Sequence, residues 1–274
     1  MRVLDKKRLR AITPKRLLTL TVILVLIGFI WWILDGWSKN NSSPDTDSQS
    51  TSSAQTKLPN LVPFNKQQRS VNDPGSLWVV VNKGRILPID FAPSQVLPNV
   101  SLHYDASAND SHLQPDAAQA LETMTSVAKK DGILLKLFSG YRSYSQQRSV
   151  YSNFVASQGQ AYADVTSARP GHSEHQTGLA ADVAATSGEC DIEICFGDMA
   201  EGKWVAANSY KYGFILRYPK DKQNLTGYEY EPWHLRFVGI DLASQLYKTG
   251  ETLEQFFNLP TYADYPAQPY KLKL

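Results

Sequence analysis

Leu17 to Leu34 reads LLTLTVILVLIGFIWWIL, eighteen residues without a charge. That run divides the chain. A bilayer core takes about 20 mostly apolar residues as helix, so the run and its flanks are long enough to span. Lys6, Lys7, Arg8, Arg10, Lys15 and Arg16 precede it, and Trp31 and Trp32 lie near its far end. Basic residues stay cytoplasmic and tryptophans favour the interface, so the bulk of the chain is expected outside. A cleaved signal peptide would carry an apolar region of about 7–15 residues and a small-x-small cleavage site. Here the run ends in Trp31-Trp32-Ile33-Leu34-Asp35-Gly36-Trp37, with no cysteine directly after it for lipid attachment. The expectation is an uncleaved single-pass anchor at residues 17–34 in the cell membrane. Residues 1–16 form its cytoplasmic tail, and the main domain is extracytoplasmic.

The tail also absorbs the basic charge. Residues 1–16 hold seven Lys/Arg and one Asp, whereas the whole chain of 274 residues carries only +2. The remainder is therefore acidic by four charges, which argues against a nucleic-acid partner. Ser38 to Thr56, SKNNSSPDTDSQSTSSAQT, has one apolar residue, Ala54. Such a stretch cannot bury enough surface to offset its ordering entropy, so residues 35–75 read as a flexible linker. Two cysteines and 42% hydrophobic residues exclude a disulfide-built miniprotein and a wholly disordered chain. A packed domain is expected over 76–262, followed by a tail at 263–274.

Within that domain, Leu77–Asn82 reads as a first strand. Pro115–Lys130 reads as a helix, with Pro115 in the first turn and Leu121, Met124 and Ala128 on one face. Ile133–Phe138 and Leu179–Val183 read as strands. Between them a helix starts at a Ser143 or Ser145 cap and ends before Gly159. Ala200–Tyr212 reads as a helix stopped by Gly213. Phe214–Tyr218 and Tyr228–Val238 read as strands, and Asp241–Lys248 and Leu253–Phe257 as short helices. Strands and helices do not alternate regularly, which predicts an α+β domain with a mainly antiparallel sheet flanked by helices.

Five histidines occur, at 103, 112, 172, 175 and 234. The sequence assigns no role to His103 or His112. A catalytic zinc needs three N/O/S protein ligands and one open position. His175 and Asp182, seven residues apart, suit a loop ligand and a strand ligand, with Gly178 permitting the bend between them. His234 could close the set from a distant strand, and His172 is the alternative ligand. Glu231 lies three residues before His234 and could serve as the base. On an extended segment those two side chains face opposite ways, so Pro232 or a bulge must re-aim one. The bland alternatives are that Glu231 pairs with Arg236 and that Asp182 caps a turn. Arg142 follows a buried strand and could grip a carboxylate or a developing oxyanion, with Gln147 one helical turn further on. Cys190 and Cys195 lack the second pair of a zinc site, and outside the membrane a short-loop disulfide is expected.

Three segments carry a resemblance: Ser139-Gly140-Tyr141-Arg142-Ser143, Ser173-Glu174-His175-Gln176-Thr177-Gly178-Leu179-Ala180-Ala181-Asp182-Val183, and Glu231-Pro232-Trp233-His234-Leu235-Arg236-Phe237. Together they resemble the VanY-type zinc D-alanyl-D-alanine carboxypeptidases over roughly residues 76–258. The resemblance implies the compact fold of the hedgehog-like zinc peptidases and one zinc ion on His175, Asp182 and His234. It implies Glu231 as catalytic base and Arg142 at the scissile carbonyl or substrate. Gln147, Ser173 and Trp233 are implied at the substrate cleft. The implied partner is the peptidoglycan stem peptide; a monomer is expected. The implied activity is release of a terminal D-alanine, with an L,D-carboxypeptidase or a non-catalytic cell-wall binding domain as alternatives. The Cys190–Cys195 stretch is outside the family pattern.

Overall fold

Ala180–Ala185 (AADVAA) is buried along its whole length, which is the signature of an inner strand covered on both faces. This strand, β3, organises a four-stranded antiparallel sheet. β2 (Leu135–Ser139) pairs on one side of it, β5 (His234–Phe237) on the other, and β4 (Phe214–Leu216) closes the edge beside β5. The computed structural model describes residues 64–104 and 110–273. The expected anchor, its basic tail and most of the 35–75 linker lie outside the described residues. Among the described residues, no helix is long and apolar enough to cross a membrane.

Helix α1 (Pro115–Lys130) has Pro at its first turn and buries Ala117, Ala118, Leu121, Met124 and Ala128 in one stripe, packed on β2. Burying side chains the size of Leu121 and Met124 contributes roughly 1.5–3 kcal/mol each. α2 (Tyr144–Gln158) starts at Ser143, whose hydroxyl accepts from the Gln146 backbone while the Gln146 side chain reaches back to the Ser143 N–H. That reciprocal cap satisfies two otherwise unpaired donors. Gly159 ends the helix, and α3 (Gln160–Thr166) follows directly. α4 (Ala200–Asn208) packs on β3 and tightens into a 3₁₀ turn, Ser209–Tyr212, before Gly213. α5 (Gln223–Thr226), α6 (Ile240–Thr249) and α7 (Leu253–Phe256) are short.

Three expectations are corrected. Leu77–Asn82 joins no sheet strand; its one bridge is Asn82 to Arg85. Arginine side chains take the carbonyls that a partner strand would have used. Arg236 donates to Leu77 O and Val79 O, and Arg85 donates to Val80 O. Side chains still alternate, with Val79 and Val81 in the main core and Trp78 and Val80 in a second cluster beneath α6 and α7. Within Tyr228–Val238, only His234–Phe237 is strand, because the residues before it turn. The packed unit also exceeds 76–262. Phe64 stacks on Trp78, and Lys66 donates to the Phe256 carbonyl. At the other end, β6 (Tyr270–Lys271) pairs in parallel with β1 (Arg85–Ile86) and Leu272 enters the main core.

A closed ion network joins these parts. Arg217 Nε donates to Glu174 Oε1 at 2.9 Å, and its other nitrogens grip both oxygens of Glu254. Arg236 donates to Glu174 Oε1 at 2.7 Å, and Asn82 donates to Glu254 Oε1 at 3.0 Å. The side chains of Glu174, Arg217 and Arg236 have no solvent exposure. Burial pushes both carboxyls up, but the guanidiniums outweigh it and hold Glu174 and Glu254 below the usual range. Each carboxyl thus binds a proton more weakly in the folded chain than in the unfolded one, where the value is near 4.5. Their contribution is present above about pH 4.5 and is lost as pH falls below it. Thermal melts should therefore show a stability plateau near neutrality and a steep fall in acid. Glu254→Gln should lower the plateau by roughly 3–5 kcal/mol and make the acid fall shallower.

Candidate active site

The sheet register creates the centre of the site. Asp182 on β3 lies directly opposite His234 on β5. Antiparallel neighbours on the same face lie close, so two polar side chains enter one space from two strands. His175 arrives from the 3₁₀ turn Glu174–Thr177, which Ser173 caps by accepting from the His175 N–H. Gly178 ends that turn at φ +67°, where an added Cβ would crowd Pro93 and Gln114, and lets the chain swing into β3. The ligand atoms of His175, Asp182 and His234 all lie within 4.8 Å of one another.

Glu231 reaches the same space through a turn. His234 N–H bonds to Glu231 O at 3.3 Å, with Pro232 and Trp233 at the turn centre. The turn folds i and i+3 onto one side, so Glu231 Oε2 lies 3.7 Å from His234 Nδ1. Arg236 pairs with Glu174, and Glu231 is left facing the cleft. Arg142 follows β2 and sits 3.8 Å from Asp182. Its guanidinium donates to Gln147 Oε1 and to Ser139 Oγ, both at 2.8 Å. Gln147, the one buried residue of α2, is itself held by the Ala168 carbonyl at 2.7 Å.

One cleft of about 640 Å³ is lined by Arg142, Gln147, Ser173, His175, Asp182, Glu231, Trp233 and His234. Every catalytic, metal and substrate position expected from the sequence therefore meets there. His172 does not. It is buried elsewhere, its Nδ1 2.9 Å from Asn82 O and its ring edge-on to Tyr265, so it is no alternative ligand. Cys190 and Cys195 are joined in a disulfide. A second cavity of about 730 Å³ along α1 and the start of α6 holds none of the histidines.

The donor set fits a dication. His175 Nδ1 lies 2.6 Å from the Gly140 carbonyl, which can only accept. The ring therefore carries its proton on Nδ1, and Nε2 presents a lone pair to Asp182 Oδ2 at 3.1 Å. His234 turns Nε2 toward Glu174 Oε2 at 3.7 Å and Nδ1 toward Asp182 Oδ1 at 3.1 Å. Asp182 Oδ1 is buried and receives no hydrogen bond. A buried carboxylate and two imidazole nitrogens thus converge on one point, where a cation would take the place of the proton on His234. The charges agree. Burial raises Asp182, but His175 and His234 outweigh it and hold its carboxyl well below the usual range. Burial lowers His234, but Asp182, Glu174 and Glu231 outweigh it and lift the ring to about 9 in the metal-free chain. Burial drives Glu231 up to about 8, aided by Asp182 and Glu229. The same excess of negative charge that draws a proton onto His234 would hold a metal.

Residues 110–240 match the family model for VanY, D-alanyl-D-alanine carboxypeptidase. The protein YodJ of Bacillus subtilis (strain 168) is 43% identical over 189 residues, 69% of each chain. This chain belongs to the VanY family. Like its relatives, this VanY-family protein is a zinc carboxypeptidase. The solved structure of the LdcB LD-carboxypeptidase is similar at 43% identity and TM-score 0.64, over 69% of this chain and 88% of the other. The zinc-bound VanY D,D-pentapeptidase of a VanB-type resistance cassette is similar at 30% identity and TM-score 0.55, over 66% of this chain and 98% of the other.

Sequence reasoning missed the support around the VanY-type cleft. Tyr218 packs its ring 4.9 Å from that of His234, and Phe138, Phe154 and Tyr228 line the walls. Glu174, behind His234, was visible only as an acid beside His175. A carboxylate facing the distal nitrogen of a ligating histidine orients the ring and raises its basicity. Competition against a chromophoric chelator should find one zinc per chain. His175→Ala or Asp182→Ala should abolish stoichiometric uptake, and Glu174→Gln should weaken affinity roughly 10–100-fold.

Proposed function

We propose that this chain is an anchored carboxypeptidase that removes the terminal D-alanine from peptidoglycan stem peptides. The observation that carries the reading is the convergence of His175, Asp182, His234, Glu231 and Arg142 in one cleft. In this reading His175 Nε2, an Asp182 oxygen and His234 Nδ1 hold the zinc. When bound, zinc supplies a Lewis acid for the scissile carbonyl and lowers the pKa of water to about 7.

The chain's own residues do the rest. Glu231 takes a proton from the attacking water and returns it to the leaving amine. Its position beside His234, on a turn fixed by Pro232, keeps the carboxylate aimed at the reacting centre. Arg142, locked by Gln147 and Ser139, presents a guanidinium to the scissile carbonyl or to the carboxylate that ends the peptide. Trp233 and Ser173 shape the cleft wall. A domain tethered outside by residues 17–34 would meet its substrate next to the membrane.

Two bonds fit this machinery. The family name points to the D,D bond of pentapeptides. A specific observation favours the L,D bond of tetrapeptides: the similarity to the LdcB LD-carboxypeptidase, 43% identity and TM-score 0.64, exceeds that to the VanY D,D-pentapeptidase, at 30% and 0.55. Incubating the zinc-loaded protein with each peptide and weighing the products separates the two. Loss of one alanine from the pentapeptide identifies D,D-cleavage, and loss from the tetrapeptide alone identifies L,D-cleavage. Folded, zinc-loaded protein that cuts neither would overturn the reading in favour of a binding domain. Glu231→Ala should retain zinc and lose roughly 10²–10⁴-fold in kcat.

A further inference from the structure

The Cys190–Cys195 loop follows β3, the strand that carries Asp182. The disulfide closes a ring in which Cys190 and Ile192 both adopt left-handed backbone, φ +55° and +56°. That region is unfavourable for any residue with a Cβ and most so for a β-branched one. A loop holding an isoleucine there needs other contacts to fix it, and such conformations cluster at ligand-gripping sites. The contacts are present. Lys136 on β2 is buried, and its ammonium donates to Asp191 Oδ2 at 2.7 Å. His103 Nε2 stands 3.5 Å from the same oxygen, with its ring 4.2 Å from that of Phe138. Asp191 is therefore clamped onto the sheet from the loop side. Its neighbour Ile192 is half-buried, packed on the main core and lining the catalytic cleft with Phe138 and Phe154.

These three residues add apolar lining to a cleft whose metal group and acids are polar. A carboxypeptidase substrate is unequal about its scissile bond. The leaving side is one amino acid that ends in a carboxylate, whereas the acyl side continues. Only the acyl side is long enough to run along the cleft wall beyond the catalytic centre. We propose that the disulfide-closed loop is a specificity element, in which Ile192 contacts the aliphatic part of an acyl-side residue beyond the one at the scissile bond and the Lys136–Asp191 pair fixes its position. This inference deepens the stem-peptide reading and rests on it.

The test uses the full-length, zinc-loaded chain and two peptides. One is the stem peptide that the wild type cleaves; the other is its blocked fragment bearing only the last two residues, which lacks every acyl-side residue beyond the one at the scissile bond. Ile192→Ala should raise KM for the long peptide roughly tenfold, the order of discrimination a hydrophobic pocket gives for small apolar groups. Its kcat should stay within about twofold, and hydrolysis of the fragment should be unchanged. Ile192→Val should restore most of the affinity. Asp191→Asn, which loosens the Lys136 clamp without altering the Ile192 side chain itself, should reproduce the KM effect in part. Equal loss with both peptides, or no change with the long one, would overturn the loop's role while leaving the carboxypeptidase assignment intact. A wild type that cleaves neither peptide would overturn the reading beneath it. A melting curve for each variant separates misfolding from a local effect.

Discussion

The buried pairing of Glu174 with Arg217 and Arg236 is the constraint on which the rest of this domain hangs. Each member comes from a different part of the chain: the 3₁₀ turn before β3, the residue after β4, and β5. Arg217 extends the network to Glu254 on α7, and Arg236 extends it to the carbonyls of Leu77 and Val79. A buried ion pair adds little net stability over a well-packed apolar substitute, yet removing one partner is costly because the other stays charged and desolvated. Two glutamates and two arginines balance here, so the penalty is avoided only when all four segments are in place together.

That network also prepares the chemistry. Glu174 shares one oxygen between the two arginines and turns the other toward His234. The ring of His234 is thereby oriented from behind, and Gly140 does the same for His175 through its carbonyl. Asp182 needs no such partner because the sheet register sets it opposite His234. Glu231 differs from Glu174 and Glu254. It has no arginine in hydrogen-bond contact, and burial drives its carboxyl up to about 8. An acid that takes protons readily sits beside three groups arranged to hold a cation, a division of labour written into the surroundings rather than the residue types.

Much of the fold could be read from local pattern. α1, the Ser143 cap of α2, the Gly213 stop and the antiparallel character of the sheet all follow from apolar spacing and from cap and turn chemistry acting over a few residues. The errors share one cause. Leu77–Asn82 has the alternation of a strand, but alternation reports burial on two faces and not a partner strand, and arginine side chains occupy its carbonyls. The Glu231–His234 segment looks like one strand with its neighbours until Pro232 turns it. Residues 64–75 and 263–273 look like linker and tail because their anchoring groups, Phe64 and Leu272, are single apolar residues whose partners lie far along the chain.

By itself the sequence determined which chemistry is on offer. His175, Asp182 and His234 have metal-binding side chains, Glu231 can move a proton, and Arg142 carries a fixed charge, whatever the fold. Three jointly matched motifs also determined the family, since local residue identity is what such a match reads. Tertiary structure alone decided how these groups meet. The strand register sets Asp182 against His234, a turn brings Glu231 to their side, Glu174 backs the histidine and not the cleft, and a disulfide loop delivers Ile192 to the wall. Each of these is a relation between residues distant along the chain, and chain spacing carries no information about which way a distant side chain will point.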